Sequence, residues 1–277
     1  MGKPKKDSLG DRMKGYENIS RTYLTRRIPV IIRLDGKSFH TFTRGLAKPF
    51  DRTLMSVMQQ TMKKLCEEVQ GCVFGYTQSD EITLVLTDYA TIQTDAWFVY
   101  NVQKMASVSA SIATLEFNRL FRKEFENSMM EYIDSVGGEQ YANRMELLFN
   151  KQFKACFDAR CFSVPVDEVC NCLIWRQQDA TRNSIEAVGH ANFSQSQLHG
   201  KSCDMIQDML WKEKGINWND FPTDCKRGSA CYRVERQVEM DNPRSPGETI
   251  AVTRRQWEID AEIPIFTQNR EFVERFL

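Results

Sequence analysis

Apolar residues in this chain fall either into short unbroken runs or into longer stretches spaced by three and four, and the two patterns alternate. Pro29-Val30-Ile31-Ile32-Arg33-Leu34-Asp35-Gly36 is an unbroken run closed by a turn signal, which predicts a buried strand. Asp51 is placed to cap a helix whose apolar face is Leu54, Val57, Met58, Thr61, Leu65 and Val69. Two strand-like runs follow, 72–76 and 82–86, joined by Thr77-Gln78-Ser79-Asp80-Glu81, a connection of hairpin length. Residues 97–118 have a helical pattern rich in small side chains (Ala106, Ser107, Ser109, Ala110, Ser111, Ala113), suited to close packing on a sheet. Residues 120–150 are charged and helical in pattern, with a break at Gly137-Gly138. A strand over 159–166 and helices over 167–188 and 201–214 come next, then a hairpin of 230–238 with 250–259 across the 241–247 turn. This order predicts an α+β fold, an antiparallel sheet with helices packed on one face and a C-terminal helical and hairpin extension. The chain, 1–277, reads as one unit, with a core over 28–150 and a C-terminal portion, 151–277, packed on it.

Composition narrows the classes. The 277 residues carry 37 Lys+Arg against 37 Asp+Glu, so any polyanion must be held by local patches and not by the field of the whole protein. No apolar run approaches the roughly 20 residues that span a bilayer, so a membrane protein is not expected. The first 27 residues are polar and basic, ending in Arg21, Arg26 and Arg27; they lack the apolar stretch of a secretory leader and read as a mobile or partner-docked arm. Nine Cys without small-scaffold spacing read as reduced thiols in a cytoplasm. Cys170 with Cys172, Cys156 with Cys161, and His199 with Cys203 lack the paired spacing of a closed zinc site, and there is no glycine-rich phosphate loop.

Two acidic points stand out because each borders an apolar strand: Asp35, and Asp80-Glu81 in the hairpin connection. If those strands are neighbours, Asp35 and Asp80 converge and can share one or two Mg²⁺ ions with the Gly36 carbonyl, an arrangement suited to phosphoryl transfer. Asp35-Gly36 and Ser79-Asp80 are equally at home as plain turn residues. The following Lys37-Ser38-Phe39-His40 offers amides, a hydroxyl, an aromatic face and an imidazole to a nucleotide; alternatively Phe39 is core and His40 an ordinary loop residue. Phe74, Trp97 and Trp175 also read more readily as core than as stacking platforms.

Arg33-Leu34-Asp35-Gly36-Lys37-Ser38-Phe39-His40, then Ala47-Lys48-Pro49, then Tyr76-Thr77-Gln78-Ser79-Asp80-Glu81, resembles the signature of the tRNA-His guanylyltransferase-like enzymes, polymerases that add nucleotides in the 3′-to-5′ direction. Trp175-Arg176-Gln177-Gln178-Asp179 resembles a downstream block of that family, and Lys226-Arg227-Gly228 an element near its C-terminal strands. The resemblance spans about residues 28–190 and implies a polymerase palm-like sheet. It implies that Asp35, Gly36 and Asp80 hold two Mg²⁺ ions, that Glu81 is a further catalytic acid, and that Lys37, Ser38, Phe39, His40 and Ser79 contact nucleotide. Lys48 would help to activate the 5′ end, and Lys104 would bind triphosphate, although Asn101 stands where the family has a neighbouring arginine.

Thr181-Arg182-Asn183-Ser184-Ile185-Glu186-Ala187 stands where enzymes dedicated to tRNA-His carry His-Ile-Asn-Asn-Leu-Tyr-Asn. That departure resembles the like-protein branch, which repairs truncated tRNA 5′ ends by templated addition. The resemblance therefore implies ATP, GTP and other NTPs as substrates, tRNA as partner, a homotetramer, and no DNA partner. Candidate tRNA phosphate contacts are Arg21, Arg26, Arg27, the Lys151/Lys154 pair, and the helix face Arg176, Asp179, Asn183 at i, i+3, i+7. A dedicated tRNA-His guanylyltransferase, a nucleotide cyclase of related fold and a non-catalytic tRNA-binding protein are the rival expectations.

Overall fold

A computed structural model describes residues 8–134, 139–241 and 249–277, and in it every strand runs antiparallel to its neighbours. In chain order the elements are α1 (Leu9–Ile19), β1 (Val30–Gly36), α2 (Phe39–Phe42), α3 (Arg52–Glu68), β2 (Cys72–Gln78), β3 (Glu81–Leu86), α4 (Val102–Asp134), α5 (Glu139–Lys151), β4 (Phe157–Ser163) and α6 (Val166–Asn192). Then come α7 (Gln195–Leu198), α8 (Cys203–Lys214), α9 (Thr223–Arg227), β5 (Ser229–Asp241), β6 (Thr249–Asp260) and α10 (Glu271–Glu274). The expected break at Gly137-Gly138 and the turn from Asn242 onward lie outside the described residues.

The six strands form one sheet in the order β4-β1-β3-β2-β5-β6. Residues 151–277 thus supply β4, β5 and β6 to the same sheet as the N-terminal half. The α+β class and the antiparallel sheet are as expected, but helices cover both faces, not one. Val30, Ile32 and Leu34 of β1 join Ile82, Leu84 and Leu86 of β3 against α3 and α4. Ile31, Phe74, Tyr76 and Val85 point the other way, onto Val169, Cys170 and Leu173 of α6 and onto Ile263 and Phe266. Burial on two sides explains why β1 and β3 are unbroken apolar runs and not alternating ones.

Asp51 caps α3 by accepting from Leu54 N at 3.0 Å, and the helix buries Val57, Met58, Thr61 and Leu65 as its spacing predicts. The predicted 97–118 helix starts later and runs further, as α4. Phe98, Val99 and Tyr100 take the left-handed conformation (φ 50°, 54° and 58°), which delays its start. The strand expected over 159–166 is β4, ended by Pro165 at the start of α6. α1 has no counterpart in the sequence reading, because it buries none of its residues and so carries no apolar stripe.

Candidate active site

β1 and β3 pair so that Asp35 lies opposite Glu81, and Gly36 N donates to the Asp80 carbonyl at 3.1 Å. That bond draws the β2–β3 turn onto the end of β1, so the two acidic points meet at one edge. The chain then turns sharply: Lys37 N donates to the Cys156 carbonyl at 2.8 Å, and Ser38 is left-handed (φ 56°). Ser79, in the hairpin turn, is left-handed as well (φ 51°). Left-handed backbone costs a non-glycine residue about 1–2 kcal/mol, and such strain gathers where function fixes the geometry. A Cβ on Gly36 would sit 2.3 Å from the Phe39 ring, so the turn has room only for glycine there.

Burial raises the Asp80 pKa above the ordinary carboxylate value, and the Asp35 charge adds to the rise; the Asp80 backbone, the Ser79 hydroxyl and His40 partly offset it. Among the described residues neither Asp35 nor Asp80 has an ion-pair partner. Two converging carboxylates that no described side-chain cation pairs, with a strand-end carbonyl beside them, are a donor set of hard oxygens that fits Mg²⁺. Among the described residues no group of three or more His, Cys, Asp or Glu side chains stands together as a metal cage.

Glu81 is held differently. It is 8% exposed, bonded by Arg176 NH1 at 3.0 Å and approached by Arg33 at 3.9 Å. Burial raises its pKa, and the two arginines pull it back. Arg176 stacks 3.5 Å from the Trp175 ring centre and also bonds Asp179 at 3.4 Å. Arg33 stands 5.5 Å from the same ring, and Trp175 is itself half-exposed.

A cleft of about 150 Å³ opens beside the hairpin turn. Its walls are Pro49, Asp51 and Leu54 before and within α3, Gln78 and Ser79 of the turn, Asn183, Ser184 and Ala187 of α6, and Asp224, Cys225 and Gly228 around α9. Arg52 ties two of these walls by bonding Asp224 at 2.9 Å, and Gly228 (φ 81°) packs so that a Cβ would meet the Thr77 carbonyl at 2.4 Å. No chemistry-bearing side-chain pattern marks the α9 wall in the sequence; its one signal is Gly228, the glycine of Lys226-Arg227-Gly228.

The structure thus brings together Asp35, Gly36, Asp80, Glu81, Ser79 and Asn183, with exposed Lys37, Ser38 and His40 on the adjoining turn and exposed Lys48 next to Pro49 at the cleft. Four expectations change. Phe39 is 3% exposed and packs on Phe42, Phe117 and Phe157, so its ring is core and leaves only its backbone for a nucleotide. Arg176 is 6% exposed and engaged by Glu81, so it does not offer its charge to tRNA from a surface. Arg26 and Arg27 form no free arm: Arg26 Nε lies 2.5 Å from the fully buried Asp88, and Arg27 bonds the carbonyls of Thr91 and Ile92. Lys104 follows Tyr100, which lies by Asp88 beyond the Leu86 end of β3, whereas Asp80 precedes the Glu81 end. A six-residue strand separates them by roughly 17–20 Å, too far for Lys104 to join the carboxylates within one chain. Asn101, where the family arginine was expected, accepts from Lys104 N at 3.0 Å and so caps α4.

The sequence profile described as tRNAHis guanylyltransferase matches residues 10–165, more than half of the chain. The probable tRNA(His) guanylyltransferase of Dictyostelium discoideum is 25% identical over 223 residues, covering 76% of this chain and 77% of its own. A bacterial tRNA(His) guanylyltransferase-like protein solved in complex with ATP is similar at 40% identity and a TM-score of 0.78, over 97% of this chain and 98% of that one. A bacterial protein of the same description in complex with GTP gives 38% and 0.74, over 98% and 99%.

Proposed function

The chain belongs to the tRNA-His guanylyltransferase family and is a nucleotidyltransferase, and we propose that it adds nucleotides in the 3′-to-5′ direction to the 5′ end of tRNA, directed by the opposite strand, so as to repair truncated ends. The observation that carries the reading is the unpaired Asp35–Asp80 couple at the strand ends, beside a cleft large enough to admit part of a nucleotide.

A 5′-monophosphate is a poor electrophile because its leaving group would be an oxide. In the first step a 5′-phosphate oxygen attacks the α-phosphorus of ATP and pyrophosphate leaves. In the second, the 3′-hydroxyl of the incoming nucleotide attacks the activated 5′-phosphate and AMP leaves. Asp35, Asp80 and the Gly36 carbonyl would hold Mg²⁺, which supplies charge neutralisation and lowers the pKa of the attacking hydroxyl. Lys37, Ser38, His40, Ser79 and Lys48 would bind phosphate and sugar oxygens around that point. Glu81, tied to Arg176, fixes the edge of β3 on which Asp80 depends.

Templated repair is favoured over the dedicated tRNA-His reaction by α6. The two family asparagines that would enter the cleft are here Ser184 and Ala187, which removes fixed amides from its wall. The like-protein relatives are described in complex with ATP or GTP, in keeping with the two steps. A homotetramer in the cytoplasm is part of the proposal: exposed Met129 and Phe149 line an apolar groove between α4 and α5 suited to self-association, and all nine Cys are free thiols. Among the described residues no helix is long and apolar enough to cross a membrane.

The test is extension of a 5′-monophosphorylated tRNA lacking its first nucleotide, with Mg²⁺, ATP and all four NTPs. Growth at the 5′ end by wild type and none by Asp80→Ala is expected. No growth, even from a 5′-triphosphorylated substrate, would sink the proposal in favour of a cyclase or a binding protein.

A further inference from the structure

A second group of side chains continues outward from the carboxylates and takes no part in the reaction above. α2 and the segment 151–156 lie against one another, joined by the Lys37 N bond to the Cys156 carbonyl and by Lys151 Nζ, which donates to the Phe42 carbonyl and stands 5.4 Å from the Phe42 ring centre. Arg44 and Lys154 both act on Lys151: burial first, then their two positive charges, hold its ammonium below the usual lysine range. Cations crowd together here without compensation. Arg122, Arg144 and Arg160, by contrast, are paired with Glu126, Asp51 and Asp158. Among the described residues Arg44, Lys151 and Lys154 have no carboxylate partner.

Phe153 lies between Lys151 and Lys154 along the chain. It holds a left-handed backbone (φ 58°), and its side chain is 64% exposed, with the Arg122 guanidinium 5.9 Å from the ring centre. An aromatic residue in that conformation is strained, and a ring left in water recovers little of the cost by packing. A cluster of like charges on the same segment as an exposed aromatic ring supplies the elements of a single-stranded nucleic-acid platform: cations follow the backbone, and the ring takes a base. The group is also close to the chemistry. His40, whose charge is felt at Asp80, is four residues before Arg44.

We propose that Arg44, Lys151, Lys154 and Phe153 bind the RNA strand leading to the 5′ end held at Asp35 and Asp80, the cations meeting its phosphates and the Phe153 ring stacking on a base. The proposal rests on the tRNA 5′-end reading. It also gives the strained Phe153 conformation a use, which is to hold the ring out in solvent.

The experiment uses the full chain and a 5′-truncated tRNA, with affinity measured from about 50 to about 200 mM salt. Arg44→Gln/Lys154→Gln is the main variant, because both side chains are exposed and folding should be unaffected. Its affinity at low salt should fall roughly tenfold, and the slope of log affinity against log salt should shrink by about 1.4–1.8, two phosphate contacts' worth. Phe153→Gly should weaken binding at least about fivefold, while its thermal midpoint rises because glycine relieves the backbone strain. A merely structural Phe153 would move both the same way.

Lys201→Gln/Lys214→Gln, the same charge change at two exposed positions elsewhere, should leave affinity within about twofold. KM for ATP should be unchanged in the Arg44/Lys154 variant; a raised KM with unaltered RNA binding would assign the patch to the nucleotide triphosphate and overturn the proposal. RNA affinity and salt slope equal to wild type would overturn it too, with extension by wild type showing that the 5′-end reading survives. Binding that depends on the patch in a protein with no extension activity would uphold the RNA site and refute the 5′-end reading.

Discussion

Replacing Arg176 by Met separates the charge of this residue from its packing. Arg176 and Glu81 are 6% and 8% exposed and meet at 3.0 Å, so the substitution leaves a carboxylate in a largely dry site. Removing one partner of a buried pair typically costs about 3–5 kcal/mol. Arg33 remains 3.9 Å from Glu81, and a methionine keeps contact with the Trp175 ring, so the low end applies, about 3 kcal/mol near neutral pH. For a chain of this size that lowers the midpoint by about 6–12 °C. The loss must depend on pH. Burial already raises the native Glu81 pKa against the pull of the two arginines, and without Arg176 it rises further. Native Glu81 then holds its proton to higher pH than the unfolded chain does, so stability falls as pH rises through the native value. Below the unfolded value, about 4.3, both states are protonated and the penalty largely disappears. Thermal unfolding of wild type, Arg176→Met, Glu81→Gln and the double variant across pH 4 to 8, roughly the span of that titration, reads both effects. The double variant should recover most of the loss. A pH-independent loss, or additive single effects, would refute the buried-pair reading.

Other outcomes follow from the same geometry. Asp80→Asn should leave the metal-free protein at least as stable as wild type, because it removes a carboxylate disfavoured by burial and by Asp35; the gain should appear as pH rises through the raised Asp80 value and vanish in acid. Thermal shifts with and without Mg²⁺ check this, and the stabilisation by Mg²⁺ should be lost in the variant. Gly228→Ala sets a Cβ against the Thr77 carbonyl at positive φ and should cost about 2–4 kcal/mol by denaturant titration, loosening the cleft wall. Asn101→Ala removes the acceptor at the start of α4 and should cost about 1 kcal/mol in the same assay.

What could be read in the sequence was local. The Asp51 cap, the apolar run ending in Asp35 and the turn residues before Glu81 are all contained in a few neighbouring positions; that Asp35 and Asp80 meet at one edge depends on β1 pairing with β3, which those positions do not fix. Arg176 was misread because a charged residue on a helix looks solvated until its partner is known, and Glu81 lies 95 residues away. Phe39 was offered to the nucleotide because it follows Asp35 so closely, but the turn at Ser38 swings it inward onto Phe117 and Phe157. Arg26 and Arg27 belong with Asp88, a long-range pairing that composition cannot reveal. Lys104 depends on where α4 begins along the sheet, and three left-handed residues at its start set that position. The second helical layer came from α6, whose apolar face is legible but whose choice of sheet face is not.

The proposed function turns on the opposite strand directing addition at the Asp35–Asp80 site. The most direct measurement supplies the enzyme with four 5′-truncated tRNAs that differ only in the base facing the missing position, with all four NTPs and Mg²⁺, and sequences the product ends. The added nucleotide should follow the facing base in each case, and Asp35→Asn should add none. Addition of guanylate whatever the facing base, or addition that survives Asp35→Asn, would contradict it.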